Sequence, residues 1–132
     1  MIGLDTNLVL RCFIDDDSDQ CARARQFVAT RCTPDDPGFI NWVVLCELVW
    51  VLNSAYRYGR NEVAHIIEEL LVSTDIRVEG PEIVRSALDE FGRGNASFAD
   101  IIIRGTNRMH GCEATATFDR EAAKLDGFVA VP

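Results

Sequence analysis

Short apolar runs alternate with helix-length patterned segments along this whole chain, and that order constrains the fold more than any other feature. Ile2-Gly-Leu4 reads as a short buried strand that ends at Asp5. Asn7 to Ile14 is apolar enough to pack behind it as a helix or turn. Ser18 is a suitable N-cap, and Ala22 to Thr30 continues as an amphipathic helix with Ala24, Phe27 and Val28 inward. After the loop 33–38, Phe39-Ile40 is short but fits a strand, and Asn41 caps a helix reaching about Tyr56. Glu62 to Val72 is helical, Ile76-Arg-Val78 a strand, and Pro81 opens a helix with Ile83, Val84, Ala87, Leu88 and Phe91 inward. Ser97 caps a helix from Phe98 to about His110, closed by Gly111. Ala114 to Thr117 is a strand, Arg120 to Lys124 a helical turn and Phe128 to Val131 the last strand. Strands separated by helices imply a parallel sheet covered on both faces. The expected class is α/β, a three-layer sandwich with a central parallel sheet of about five short strands flanked by helices.

At 132 residues, with no linker, repeat or low-complexity tract, the chain is expected to form a single domain, 1–132. Five cysteines, odd in number and without C-x-x-C spacing, beside two histidines exclude an ordinary zinc site. They point to reduced thiols and a cytoplasmic protein. Met1 to Asp5 has neither the basic nor the long apolar stretch of a secretory signal, and the run around Glu47 is too short and polar for a membrane span. A net charge of −8 excludes wrapping of nucleic acid by bulk electrostatics, but leaves room for local contact through cations and arginines.

The acids are informative because in such sheets the ligand crevice lies beyond the carboxyl ends of the strands. Asp5 follows the first strand and Asp119 follows the Ala114–Thr117 strand. Asp100 lies in the first turn after Ser97, and Glu47 in the second turn after Asn41. Glu47 is the only charged residue between Asp36 and Arg57, which predicts a buried carboxylate. Burial of that kind costs several kcal/mol unless a cation or an arginine compensates it. Four carboxylates gathered at one edge would repel one another, and divalent cations reverse that penalty. Mg²⁺ or Mn²⁺ takes hard oxygen ligands, and two such ions can activate water and stabilise the leaving oxygen in phosphodiester cleavage.

Asp5-Thr-Asn7 after an opening strand, Glu47 in an apolar helix, Ser97-Phe-Ala-Asp100-Ile-Ile-Ile and Thr117-Phe-Asp119-Arg together resemble the PIN domain, and more narrowly the VapC toxins of toxin–antitoxin pairs. The resemblance runs the length of the chain. It implies a metal-dependent ribonuclease in which Asp5, Glu47, Asp100 and Asp119 ligate Mg²⁺ or Mn²⁺ or hold its waters. Asn7 would orient Asp5 or a water, with Thr6 and Thr117 as supporting hydroxyls. Many relatives carry a further acid where this chain has Ser97. The resemblance also implies an RNA substrate, an antitoxin whose tail covers the acidic groove, and a homodimer.

Structural readings stand beside the functional ones. Ser97-x-x-Asp100 is a capping-box pattern, Asp119 can be a turn residue, and Asp5 can cap the helix after it. Glu47 could form a buried pair with Arg104 or Arg108. Those two arginines share a helix face beyond Asp100 and are the candidates for RNA phosphate contact. Trp42, Cys46, Val49 and Trp50 are expected on one inward helix face. Two other functions remain in play. A phosphatase of the haloacid dehalogenase type also places aspartate after its first strand, but wants a second one where this chain has Asn7, and a placed lysine where Lys124 is the only one. A non-catalytic module could use the same acids to hold a metal or a basic peptide.

Overall fold

Residues 1–132 are all described by a computed structural model, in which six helices and five strands alternate in chain order. They fall into two compact units, Met1–Pro81 and Glu82–Pro132. No helix is long and apolar enough to cross a membrane.

In the first unit, β1 (Ile2–Gly3), β2 (Gly38–Ile40) and β3 (Ile76–Val78) form a parallel sheet with β2 in the centre. The register pairs Ile2 with Gly38 and Gly38 with Ile76. Helices α1 (Thr6–Phe13), α2 (Ser18–Arg31), α3 (Trp42–Ser54) and α4 (Arg60–Val72) connect them. Leu4, Val9, Ile40, Leu45, Leu48, Leu52, Val63 and Ile67 are buried.

Side-chain caps set where these helices start. Asp5 accepts from Leu8 N–H at 2.9 Å, and Asn41 accepts from Val44 N–H at 2.9 Å. Each satisfies one of the backbone donors that a first helical turn leaves without a partner. Asn41 directly follows β2 and Asp5 comes two residues after the end of β1, so α1 and α3 begin at the carboxyl edge of the sheet. The second helix begins at Ser18 itself, one residue earlier than a Ser18 cap would place it, because Asp17 takes the capping position and bonds Gln20 N–H at 3.0 Å.

The inward face of α3 also differs from expectation. Its buried residues are Val44, Leu45, Leu48, Val49 and Leu52, whereas Trp50 is 70% exposed and Val43 67%. A helix apolar on nearly every side carries no stripe that would reveal its orientation. Trp42 instead ties α3 to the end of β3. Its backbone N–H donates to Glu79 Oε1 at 2.9 Å and its indole N–H to the Glu79 carbonyl at 2.7 Å.

Beneath that indole, Gly80 has φ +49°, and a Cβ there would stand 2.6 Å from the Trp42 ring. Left-handed backbone and overlap act together, so Gly80→Ala should destabilise the protein by about 2 kcal/mol. Thermal denaturation checks this; an unchanged midpoint would show that the ring moves aside freely.

In the second unit, α5 (Pro81–Arg93) and α6 (Phe98–Met109) precede a parallel pair, β4 (Thr115–Thr117) and β5 (Phe128–Ala130), joined through a short 3₁₀ turn at Ala122–Lys124. Its buried residues include Val84, Leu88, Phe91, Phe98, Ile101 and Ile102, with Phe91 and Phe98 edge to face at 6.0 Å. The α/β class and the parallel pairing agree with the sequence reading. The five strands form a three-stranded and a two-stranded sheet rather than one.

Candidate active site

In the first unit the carboxyl edge of the sheet carries the Asp5-Thr6-Asn7 segment. Asp5 Oδ1 is used in capping α1, which leaves its second oxygen outside that bond. Thr6 Oγ1 donates to Glu47 Oε2 at 3.1 Å. That bond joins the first residue of α1 to the second turn of α3, across 41 residues of sequence. Asn7 is exposed beside them.

Glu47 itself overturns one expectation. It is exposed, on the same side of α3 as Val43 and Trp50, rather than buried in an apolar helix. It therefore carries no large desolvation penalty and needs no buried arginine partner. Its apolar neighbours in sequence point elsewhere because the helix turns them away by 100° per residue.

In the second unit Ser97 Oγ accepts from Asp100 N–H at 3.0 Å, which caps α6. The returning half of a capping box is absent, so the Asp100 carboxylate is left for other partners. Asp119 is exposed and held firmly. Its Oδ1 accepts from the N–H groups of Glu121 and Ala122 at 2.8 and 2.9 Å, and its own N–H donates to Thr117 Oγ1 at 3.0 Å. Thr117 thus supports Asp119 through the backbone. Asn107 Nδ2 donates to Thr115 Oγ1 at 3.0 Å, pinning the end of α6 to the start of β4.

The two candidate arginines separate. Arg104 is 9% exposed, and its Nη1 donates to Glu90 Oε1 at 2.8 Å while Nη2 donates to Glu90 Oε2. Nη1 also reaches the Asp126 carbonyl at 3.1 Å. This fork-to-fork pair takes Arg104 out of the set of phosphate contacts; it is a buried structural ion pair. Arg108 is exposed, bonds Asp126 Oδ2 at 3.0 Å and keeps donors for another anion.

One cation that the sequence reading passed over lies beside the first motif. Arg11 lines a cavity of about 370 Å³ together with Asp5 and Asn7. Its spacing of four from Asn7 on a helix is the signal that could have found it. Thiol chemistry has no support here. Burial raises the Cys12 thiol and pushes Cys46 up to about 11, so both stay protonated near neutral pH.

A PIN-domain family model matches residues 2–128. The chain belongs to the PIN-domain family. A VapC ribonuclease from Aquifex aeolicus (strain VF5) is 24% identical over 128 residues, covering 97% of this chain and 93% of that protein. The family match runs through both units.

In each unit the motif acids offer only hard oxygen donors, the kind that a divalent cation such as Mg²⁺ takes. All four motif acids offer carboxylate oxygens, with no sulfur or imidazole among them. Neither unit gathers three or more His, Cys, Asp or Glu side chains into a cage. Magnesium commonly binds through one or two carboxylates and completes its shell with water and phosphate oxygens.

Proposed function

We propose that this chain is a Mg²⁺- or Mn²⁺-dependent endoribonuclease of the VapC type, the toxin of a toxin–antitoxin pair. The observation that carries the reading is the Thr6–Glu47 hydrogen bond, which brings a second motif acid to the Asp5 corner. The full-length match to the PIN family and the VapC ribonuclease relative support it. Neither the phosphatase nor the binding-module reading gains from that match.

By their places in the family motifs, Asp5, Glu47, Asp100 and Asp119 are assigned to hold the cation and its waters. When bound, the ion would ease deprotonation of water and offset charge on the phosphodiester oxygens. The chain's own residues fix positions. Thr6 orients the Glu47 carboxylate, and two backbone N–H groups hold Asp119 at the end of β4. Asn7 is assigned to orient Asp5 or the attacking water. The reaction is hydrolysis: water oxygen bonds to phosphorus as the bond to the leaving oxygen breaks.

Arg108 remains a candidate phosphate contact. The reading includes a cytoplasmic setting, an antitoxin whose tail covers the acidic groove, and a homodimer. Val43 and Trp50 on α3 offer apolar surface for a second copy.

Incubation of the purified protein with total RNA, with Mg²⁺ or with EDTA, tests the reading. Discrete cuts are expected with Mg²⁺ and none with chelator. Turnover of small phosphomonoesters without RNA cleavage would replace it with the phosphatase reading.

A further inference from the structure

We propose that the cavity between α1 and α2 seats the RNA strand next to the bond that is cut, with Arg11 and Arg23 contacting phosphates and Phe27 stacking on a base. The inference rests on the ribonuclease reading. Asp5 and Asn7 share this cavity of about 370 Å³ with Arg11, Gln20, Arg23 and Phe27. A strand cut at Asp5 must place flanking nucleotides in the space that opens from Asp5, and this cavity opens there. In a chain of net charge −8, two guanidinium groups lining that one concavity supply the local cation that a phosphate backbone needs.

Arg11 is held ready for such a contact. Its Nε donates to Gln20 Oε1 at 3.0 Å and its Nη1 to Asp16, leaving Nη2 outside both bonds. Asp16 also accepts from the Tyr56 hydroxyl. That hydroxyl, with Arg11 after it, keeps the Asp16 carboxyl below the usual carboxylate range, so the brace stays charged at neutral pH. A guanidinium already fixed at two nitrogens loses little freedom when an anion arrives.

It stands six positions past Asp5, about 9 Å along α1, far enough to meet a neighbouring phosphate rather than the one being cut. Arg23 is paired only with Asp19, at 3.6 Å and with both side chains largely exposed. Such pairs contribute little, so Asp19 yields readily to a phosphate. Phe27, which helical periodicity would turn inward, is 38% exposed and lines the same concavity. An aromatic left open beside arginines is the usual platform for an unpaired base.

The test uses a short fluorescent single-stranded RNA with the full-length protein, by anisotropy in EDTA and by cleavage in Mg²⁺. Arg23→Gln should lower the slope of log affinity against log salt by about 0.7, and Arg11→Gln with Arg23→Gln by about 1.4. Phe27→Leu should weaken binding roughly fivefold or more with the slope unchanged. In the cleavage assay these variants should raise KM while kcat changes little. Arg77→Gln makes the same charge change outside the cavity and should leave the slope as in the wild type.

Should Arg11→Gln fail to fold, Arg23→Gln and Phe27→Leu still decide the matter. A wild-type slope in Arg23→Gln together with wild-type affinity and KM in Phe27→Leu would overturn the proposal and give the cavity to another occupant, such as a protein segment. Absence of RNA cleavage by the wild type would instead bring down the ribonuclease reading itself.

Discussion

Glu90→Ala should cost this protein about 3 kcal/mol of stability, more than Arg104→Met, although the two changes break the same ion pair. The reason is where each charge is left. Arg104 has a side chain only 10% exposed, against 32% for Glu90. Its Nε is buried without a hydrogen-bond partner. Without Glu90 the guanidinium would keep only the Asp126 carbonyl and would stay desolvated. Without Arg104 the Glu90 carboxylate can turn to water, and methionine fills much of the space, so the loss should be closer to 1 kcal/mol. The double variant should recover much of what Glu90→Ala loses.

The pH dependence has a definite sign. Arg104, chiefly through its hydrogen bonds, holds Glu90 below its ordinary value of 4.5. The unfolded chain binds that proton first, so the pair's contribution is complete above about pH 5 and is lost as the pH falls through the lowered folded value. Urea denaturation of wild type and Glu90→Gln should therefore give curves that converge in acid. Equal losses for the two single variants, or parallel curves down to low pH, would mean that the pair contributes nothing specific.

That same pair marks where local spacing stops being informative. Arg104 stands one turn beyond Asp100, so spacing alone places it near the acids, whereas its partner Glu90 lies on α5, and pairing of that kind has no local signature. Helix starts were legible because they are written in single residues: Asn41 and Ser97 cap α3 and α6 as their side chains suggest. The facing of α3 is not, since an apolar helix without a polar stripe gives no direction: the pattern turns Glu47 and Trp50 inward, whereas both are exposed. Strands of two or three residues could be placed, but their partition into two sheets depends on tertiary pairing. Phe27 followed the opposite path, apolar by pattern yet open to the cavity.

Exposure changes what Glu47→Gln should do. A buried, uncompensated carboxylate would make that substitution stabilising in the absence of metal; an exposed one makes it neutral, within about 0.5 kcal/mol. The glutamine carbonyl can still accept the Thr6 hydroxyl, so α1 and α3 stay joined. Only the negative charge at that corner is lost.

The same argument holds for Asp5→Asn and Asp119→Asn. Asparagine caps a helix about as well as aspartate, and its carbonyl can take the N–H groups of Glu121 and Ala122. All three variants should therefore melt like the wild type while losing RNA cleavage by more than about a hundredfold, since even outer-shell partners of a metal typically matter 10–100-fold. Calorimetric titration with Mg²⁺ should show weakened binding in each. A variant that cleaves undiminished removes that residue from the catalytic set. One that loses cleavage only together with its melting temperature was a structural cap, and comparison of Asp5→Asn with Asp5→Ala separates the two, because only alanine removes the cap on α1.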